Sequence, residues 1–384
     1  MNFIDLFCGI GGFHQALSNL GHTCVFASDI DEKCRRVYEK NYKIKPVGDI
    51  IEHLADVPAH DIMCGGFPCQ PFSKAGFQKG FDDDRGNLFF VMCKIIKKHR
   101  PKYLFLENVK NLTSHDNGNT WRVISQSLTF LGYRTYQDPV VLNAMHFGVP
   151  QNRERVIIMA KRQDMGPLPT LPPLSKRPKS ENLLDFLVKG EQPNLSPKMQ
   201  AVESVWNEFL ALGLPTIPKF PLWTEWWGMD ASENPEMYAK YTKWIDQNHE
   251  FYKTNIKKLR PWLVKSRKNP HWMGAVRKFE WQAGDFREGD SMNTVLWTAR
   301  GSGIRVKRPN YIPTLVAISH VPVYGPDSRT LSPRELLRLQ SFPDSFEYEE
   351  NNKNIFKQVG NAVNVKMIEQ CARFMILDKM LLEY

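Results

Sequence analysis

Asp5-Leu6-Phe7-Cys8-Gly9-Ile10-Gly11-Gly12-Phe13 is the stretch whose reading decides the fold. It closes a short apolar run at residues 3–7 and leads into a helical pattern. Strand, glycine-rich turn and helix form the opening unit of an open α/β sheet, where ligands sit at the carboxyl ends of the strands. Glycines let the backbone turn tightly and approach a ligand. By itself the loop is a weak cofactor signal, and a nicotinamide dinucleotide loop looks similar.

Outward from this loop the alternation continues. Residues 24–28, 61–64, 103–107 and 156–160 read as further buried strands, and residues 89–99 and 120–131 as amphipathic helices. The pattern predicts a doubly wound, Rossmann-like α/β sheet. Its second strand ends at Asp29, twenty residues after Gly9. A carboxylate there can bind ribose hydroxyls. Asp49-Ile50 ends a third segment and can meet an adenine edge. Ordinary strand-end polar residues would look the same.

The fourth segment ends in Gly65-Gly66-Phe67-Pro68-Cys69-Gln70-Pro71-Phe72-Ser73. A thiol just past a strand end faces the cleft, and the two prolines restrict the backbone around it. Residues 74–86, with Gly76, Gly80 and Gly86, read as a lid with glycine hinges. The next strand closes in Glu107-Asn108-Val109-Lys110-Asn111, at the same sheet edge as Cys69. A thiol and a carboxyl group suit covalent attack on a pyrimidine. The thiol adds to C6, the protonated carboxyl group donates to N3, and C5 becomes nucleophilic enough to accept a methyl group. In Gln151-Asn152-Arg153-Glu154-Arg155 the two arginines alternate, so a strand sets them on one face. A guanidinium there can hold a pyrimidine oxygen or a phosphate, or the three charges can form a structural ion pair.

The 384 residues suffice for two domains, and the net charge of +10 suggests a polyanionic partner. The charge is concentrated. Residues 253–308 hold fourteen Lys and Arg against four Asp and Glu, and nine of the ten Trp fall between Trp206 and Trp297. A proline-rich linker at 166–178 precedes this region, which reads as a second domain that meets phosphates. Trp223, Trp226 and Trp227 are expected in its core. Residues 365–382 read as a closing helix that returns to the first domain. The seven Cys include no CxxC pair, so neither a disulfide framework nor a metal site is expected. No signal peptide or membrane span is read, and a cytoplasmic protein is expected.

Taken together, these segments resemble the DNA cytosine-5 methyltransferase family, in its compact bacterial modification-enzyme form. The resemblance runs in order through DLFCGIGGF at 5–13, GGFPCQPFS at 65–73, ENVKN at 107–111 and QNRERV at 151–156. It continues through RTLSPRE at 329–335, LQSFP at 339–343 and QVGNAV at 358–363. It is weak between residue 171 and about residue 310, the family's variable region.

The resemblance implies a catalytic domain at 1–170 that binds S-adenosylmethionine. A smaller target-recognition domain would follow at 171–350, with a C-terminal segment at 351–384 returning to the first. Phe7, Gly9 and Gly11 would line the cofactor pocket. Asp29 would bind the ribose and Ile30 would pack on the adenine. Asp49 and Ile50 would meet the adenine edge, Leu88 would touch the cofactor, and Asn361 would close the pocket. Asp29 stands where many relatives carry Glu. Cys69 would attack a cytosine flipped out of the duplex. Glu107 would bond N3 and the exocyclic amine, and Arg155 would bond O2.

Ser73 and Arg153 would hold the flipped nucleotide and its backbone, and Thr314 would meet a phosphate. Arg300 and Arg305 flank a glycine-rich loop and are the leading candidates for reading guanine. The implied partners are double-stranded DNA and a cognate restriction endonuclease acting on the same site. A prokaryotic, nucleoid-associated monomer with no membrane attachment is expected. The rival readings are a tRNA cytosine-5 methyltransferase and a catalytically dead DNA-binding regulator.

Overall fold

The computed structural model describes residues 1–68, 87–172, 182–190, 194–315, 321–349, 354–377 and 381. Cys69, Ser73 and the expected lid at 74–86 lie outside the described residues. The chain divides into two compact units. One comprises Met1–Phe186, Pro313–Ile318 and Pro333–Tyr384, and the other Leu187–Ile312 and Ser319–Ser332. The stretch from residue 333 thus groups with the first unit, although the sequence reading set residues up to 350 in the second domain.

The first unit opens with β1 (Asn2–Leu6), α1 (Gly12–Ser18), β2 (Thr23–Ser28), α2 (Glu32–Tyr42) and β3 (Ile62–Gly65). It continues with α3 (Leu88–His99), β4 (Tyr103–Val109), α4 (Asn119–Phe130), β5 (Tyr133–Thr135), β6 (Val141–Asn143) and β7 (Glu154–Arg162). The strand order is β2-β1-β3-β4-β7-β5, with β6 also on β7. β1 to β4 are parallel, and β7 runs antiparallel to β4, β5 and β6. This is the expected Rossmann-like sheet with an antiparallel end. β3 is buried throughout and β4 as far as Asn108. Helices on both faces therefore explain why these strands read as unbroken apolar runs. Ile4, Leu6, Met63, Leu104 and Leu106 pack with Phe89, Met92 and Ile96 of α3. Leu6, Gly65 and Leu106 are in register. Phe7 and Gly66 therefore leave the sheet at one edge, level with Glu107, which β4 still holds opposite Ile157.

The second unit has its own sheet and core. Its helices are α5 (Pro197–Leu210), α6 (Pro235–Thr254) and α7 (Ile256–Ser266). Its strands are β8 (Leu222–Trp223), β9 (Lys278–Trp281), β10 (Leu296–Arg300), β11 (Gly303–Lys307), β12 (Val323–Tyr324) and β13 (Arg329–Thr330), ordered β13-β12-β10-β11-β9-β8. Trp206, Trp227, Trp262, Trp272, Trp281 and Trp297 are all in one core cluster. Trp223 and Trp226 join Ile245 in a smaller one, so all three tryptophans expected in the core are buried. The buried Asn248 satisfies this aromatic region. Its Oδ1 accepts from Trp223 N and Trp227 Nε1, and its Nδ2 donates to Pro221 O and Trp244 O.

The chain then re-enters the first unit through α8 (Pro333–Arg338), α9 (Ile355–Asn361) and α10 (Val365–Leu377). The expected closing helix is present as far as Leu377; residues 378–380 and 382–384 are outside the described set. Gly12 explains how closely this segment docks. A β-carbon there would stand 2.6 Å from Val363 Cγ2 and 2.7 Å from its carbonyl oxygen. No helix among the described residues is long and apolar enough to cross a membrane.

Candidate active site

The glycine-rich turn takes left-handed backbone at Phe7, Gly9 and Gly11, with φ of 54°, 53° and 89°. The reasons for the two glycines differ. A β-carbon at Gly9 would meet nothing within 4 Å, whereas one at Gly11 would stand 2.2 Å from the Tyr42 ring. Gly9 thus borders open space, and Gly11 is required by a packed aromatic side chain.

Asp29 closes the turn from β2. Its Oδ2 accepts from Gly9 N and its Oδ1 from Asp31 N, each at 2.8 Å. Burial pushes the Asp29 carboxyl group up, against the pull of those two donors. Arg35 Nη1 donates to Asp29 O and Ile30 O, fixing the strand end. Ile30 itself is 79% exposed, an uncovered apolar side chain beside a carboxylate.

Glu107 is buried at the end of β4. Arg155 Nε lies 2.8 Å from its Oε1. The pair is an ionic contact rather than a well-aligned hydrogen bond, because that N–H is not aimed at an acceptor. Burial raises the Glu107 carboxyl pKa, and the nearby Arg155 and Arg153 charges oppose the rise. Asn108 Nδ2 donates to Phe67 O at 2.9 Å. This bond ties the Gly65–Pro68 loop, one residue short of Cys69, to the strand that carries Glu107. Asn108 lies within the motif at 107–111, but its partner is forty-one residues away, so the tether leaves no local sequence signal.

Arg153 lines the candidate cavity and also has a bracing role that its motif does not show. It is 1% exposed, and its guanidinium donates to Leu315 O, Gly360 O and Ala362 O at 2.7, 3.0 and 3.0 Å. Burial lowers its pKa to about 9. It braces two distant chain segments. Thr314 Oγ1 donates to Asn152 O at 2.6 Å and keeps its lone pairs.

One cavity of about 450 Å³ joins these groups. It is lined by Phe7, Gly9, Asp29, Ile30 and Asn361 on one side and by Pro68, Glu107, Arg153 and Arg155 on the other. Gly11, Asp49, Ile50 and Leu88 are not in its described lining. Asp49 Oδ1 accepts from Ile51 N, Ile50 lies in the apolar core, and Leu88 packs against that core. Lys357 and Val363 also line the cavity; Val363 ends the QVGNAV motif, whereas Lys357 carries no local sequence signal. Arg300 and Arg305 belong to the second unit. They flank the β10–β11 hairpin, with Arg300 paired to Gly303 and Arg305 to Thr298.

A glycine turn bonded to a strand-end carboxylate, and a buried carboxyl group beside an arginine, share one cavity at the strands' carboxyl edge. The family model of the C-5 cytosine-specific DNA methylases matches residues 1–376. The chain belongs to this family. It is 31% identical to the Type II methyltransferase M.AluI of Cellulosimicrobium cellulans, covering 97% of this chain and 91% of the relative. It is also 31% identical to the Type II methyltransferase M.HhaI of Haemophilus parahaemolyticus, covering 97% and 93%. Among solved structures, the Entamoeba histolytica methyltransferase EhMeth matches with a TM-score of 0.53 at 16% identity, covering 98% of each chain. That likeness shows the fold.

Proposed function

We propose that the chain is a sequence-specific DNA cytosine-5 methyltransferase that uses S-adenosylmethionine. The observation that carries the reading is the single cavity shared by Gly9, Asp29 and Ile30 with Glu107 and Arg155. The residues fit the cofactor. Open space at Gly9 admits a ligand, the exposed Ile30 side chain suits an adenine face, and the Asp29 carboxylate suits ribose hydroxyls. Phe7 and Asn361 would complete the pocket. Bound there, the cofactor supplies an electrophilic methyl carbon for C5 of cytosine.

The chain's own residues do the rest. Cys69 loses its proton and forms the Sγ–C6 bond to a cytosine drawn out of the duplex. Glu107, whose burial favours the protonated form, donates to N3 as the ring gains electrons. Arg155 bonds O2 and offsets the charge that develops there. Loss of the C5 proton then expels the Cys69 thiolate and restores the aromatic ring. Ser73 and Thr314 hold the DNA backbone, and Arg300 and Arg305 read base edges.

The match of residues 1–376 to the C-5 cytosine-specific DNA methylases supports duplex DNA over tRNA as the substrate. A cognate endonuclease cutting the same site completes the reading, in the cytoplasm of a prokaryote. The test incubates the protein with methyl-labelled S-adenosylmethionine, mixed-sequence duplex DNA and competing tRNA. Label at C5 of duplex cytosine is expected. Cofactor binding without that label, or label confined to tRNA, counts against the proposal.

A further inference from the structure

The second unit holds a cavity of its own, of about 450 Å³. That volume lies in the range of small-ligand sites. Its walls include Trp223, Trp226, Trp272 and Met237, and its charged residues are Arg267, Arg277 and Lys278 against Glu225. Trp272 is 2% exposed, and its indole N–H has no partner among the described residues. Arg277 Nε donates to Trp272 O at 2.8 Å, which anchors that guanidinium at the wall. Lys278 Nζ sits 4.4 Å from the Trp223 ring centroid.

Lys278 also joins the cavity to a basic sheet face. Trp223 pairs with Lys278, and Arg300 with Gly303. Phe279 pairs with Ile304, so Lys278 stands abreast of Gly303. A β-carbon on Gly303 would lie 2.7 Å from Lys278 Cβ. A row therefore runs Trp223, Lys278, Gly303, Arg300 across the sheet. Arg305 and Lys307 share that face by strand alternation, and Glu280 is 3.1 Å from Arg305. Aromatic walls and cations continuous with a basic face match the chemistry of a nucleotide. An apolar protein side chain would need the walls without the cations.

We propose that this cavity takes one unstacked nucleotide, its base against the tryptophans and its phosphate on Lys278 and the two arginines. The inference rests on the reading of the chain as a DNA enzyme and adds a second nucleotide site to it.

The probe is 2′-deoxyguanosine 5′-monophosphate, titrated into the full-length protein by tryptophan fluorescence. Saturating S-adenosylhomocysteine blocks the cofactor part of the first cavity, and two variants of the second unit separate binding there from binding beside Glu107. Saturable quenching is expected. Arg267→Glu, which reverses a rim charge, and Met237→Trp, which fills the space, should each weaken it at least tenfold. Both side chains are exposed, and circular dichroism checks that each variant folds. No quenching, or equal quenching in both variants, overturns the proposal. Displacement by inorganic phosphate but not by deoxyguanosine overturns base recognition. An apolar dye held there that the nucleotide cannot displace overturns it in favour of a protein side chain. Methyl transfer to duplex DNA, measured on the same preparation, separates the two claims. Transfer without nucleotide binding sinks the second site alone, and absence of transfer sinks the reading beneath it.

Discussion

Arg155 Nε lies 2.8 Å from Glu107 Oε1, with 12% and 11% of the two side chains exposed. Burial raises the Glu107 pKa more than the two arginines lower it. The folded protein therefore holds this proton more tightly than the unfolded chain. Across the window from the ordinary value of 4.5 up to the raised value, the native state binds more protons, so Glu107's contribution to stability falls as pH rises. Glu107→Gln should remove that slope. Urea unfolding of both proteins at increasing pH measures it, and parallel curves would contradict the assignment.

Loss of the Arg153 side chain is expected to cost substantial stability. Arg153→Ala leaves three carbonyl oxygens without their donor. A buried polar group left unsatisfied costs about 1–3 kcal/mol, so three of them imply a total loss of roughly 3–9 kcal/mol. Arg153→Lys should recover only part of it, because an ammonium cannot present the same planar fork. A loss below about 1 kcal/mol in denaturant unfolding would mean that the guanidinium is solvated rather than a brace.

Gly9 and Gly12 should separate ligand binding from packing. At Gly12 an added methyl collides with Val363, and overpacking of this kind costs about 1–3 kcal/mol. At Gly9 it meets open space at a left-handed φ, which costs about 1–2 kcal/mol. Gly9→Ala should also weaken S-adenosylhomocysteine binding at least tenfold, or about 1.4 kcal/mol. Calorimetric titration reads this. Unchanged affinity in Gly9→Ala would remove the cavity from the cofactor's path.

Glu280 lies 3.1 Å from Arg305, and the two side chains are 24% and 38% exposed. Such a partly exposed pair contributes only about 0–1 kcal/mol to stability. If it aligns Arg305 for a guanine edge, its loss costs about 1–3 kcal/mol of base discrimination. Glu280→Ala should therefore leave the melting temperature nearly unchanged and broaden the set of methylated sites. Bisulfite sequencing of a random-site library measures that. An unchanged site profile would rule out the alignment.

The sequence made β1, β3 and β4 legible for a physical reason: they are buried almost throughout, so each is a near-continuous apolar run, whereas β2 alternates with Thr23 and Val25 exposed. The three-residue β5 and β6 are too short to carry a period. In the second unit, α6 breaks helical geometry at Tyr241 and α7 contains Pro261, which blurs their patterns. The cavity groups Asp29, Glu107 and Arg155 were legible because each stands at a strand end beside its motif. The bracing role of Arg153 was not legible because its carbonyl partners are more than a hundred and sixty residues away. Gly11 was read as a ligand contact, although Tyr42, thirty-one residues on, is what excludes a side chain there. Local sequence carries no trace of such distant neighbours.

The most direct measurement uses duplex DNA carrying 5-fluorocytosine, in which C5 has no proton to lose, so release of the thiol is blocked. The protein and S-adenosylmethionine are mixed with this DNA, and the denatured product is mapped by peptide mass spectrometry. A DNA adduct on Cys69, absent from Cys69→Ser, is the expected result. No adduct despite cofactor binding, or an adduct on another residue, would contradict covalent catalysis by Cys69.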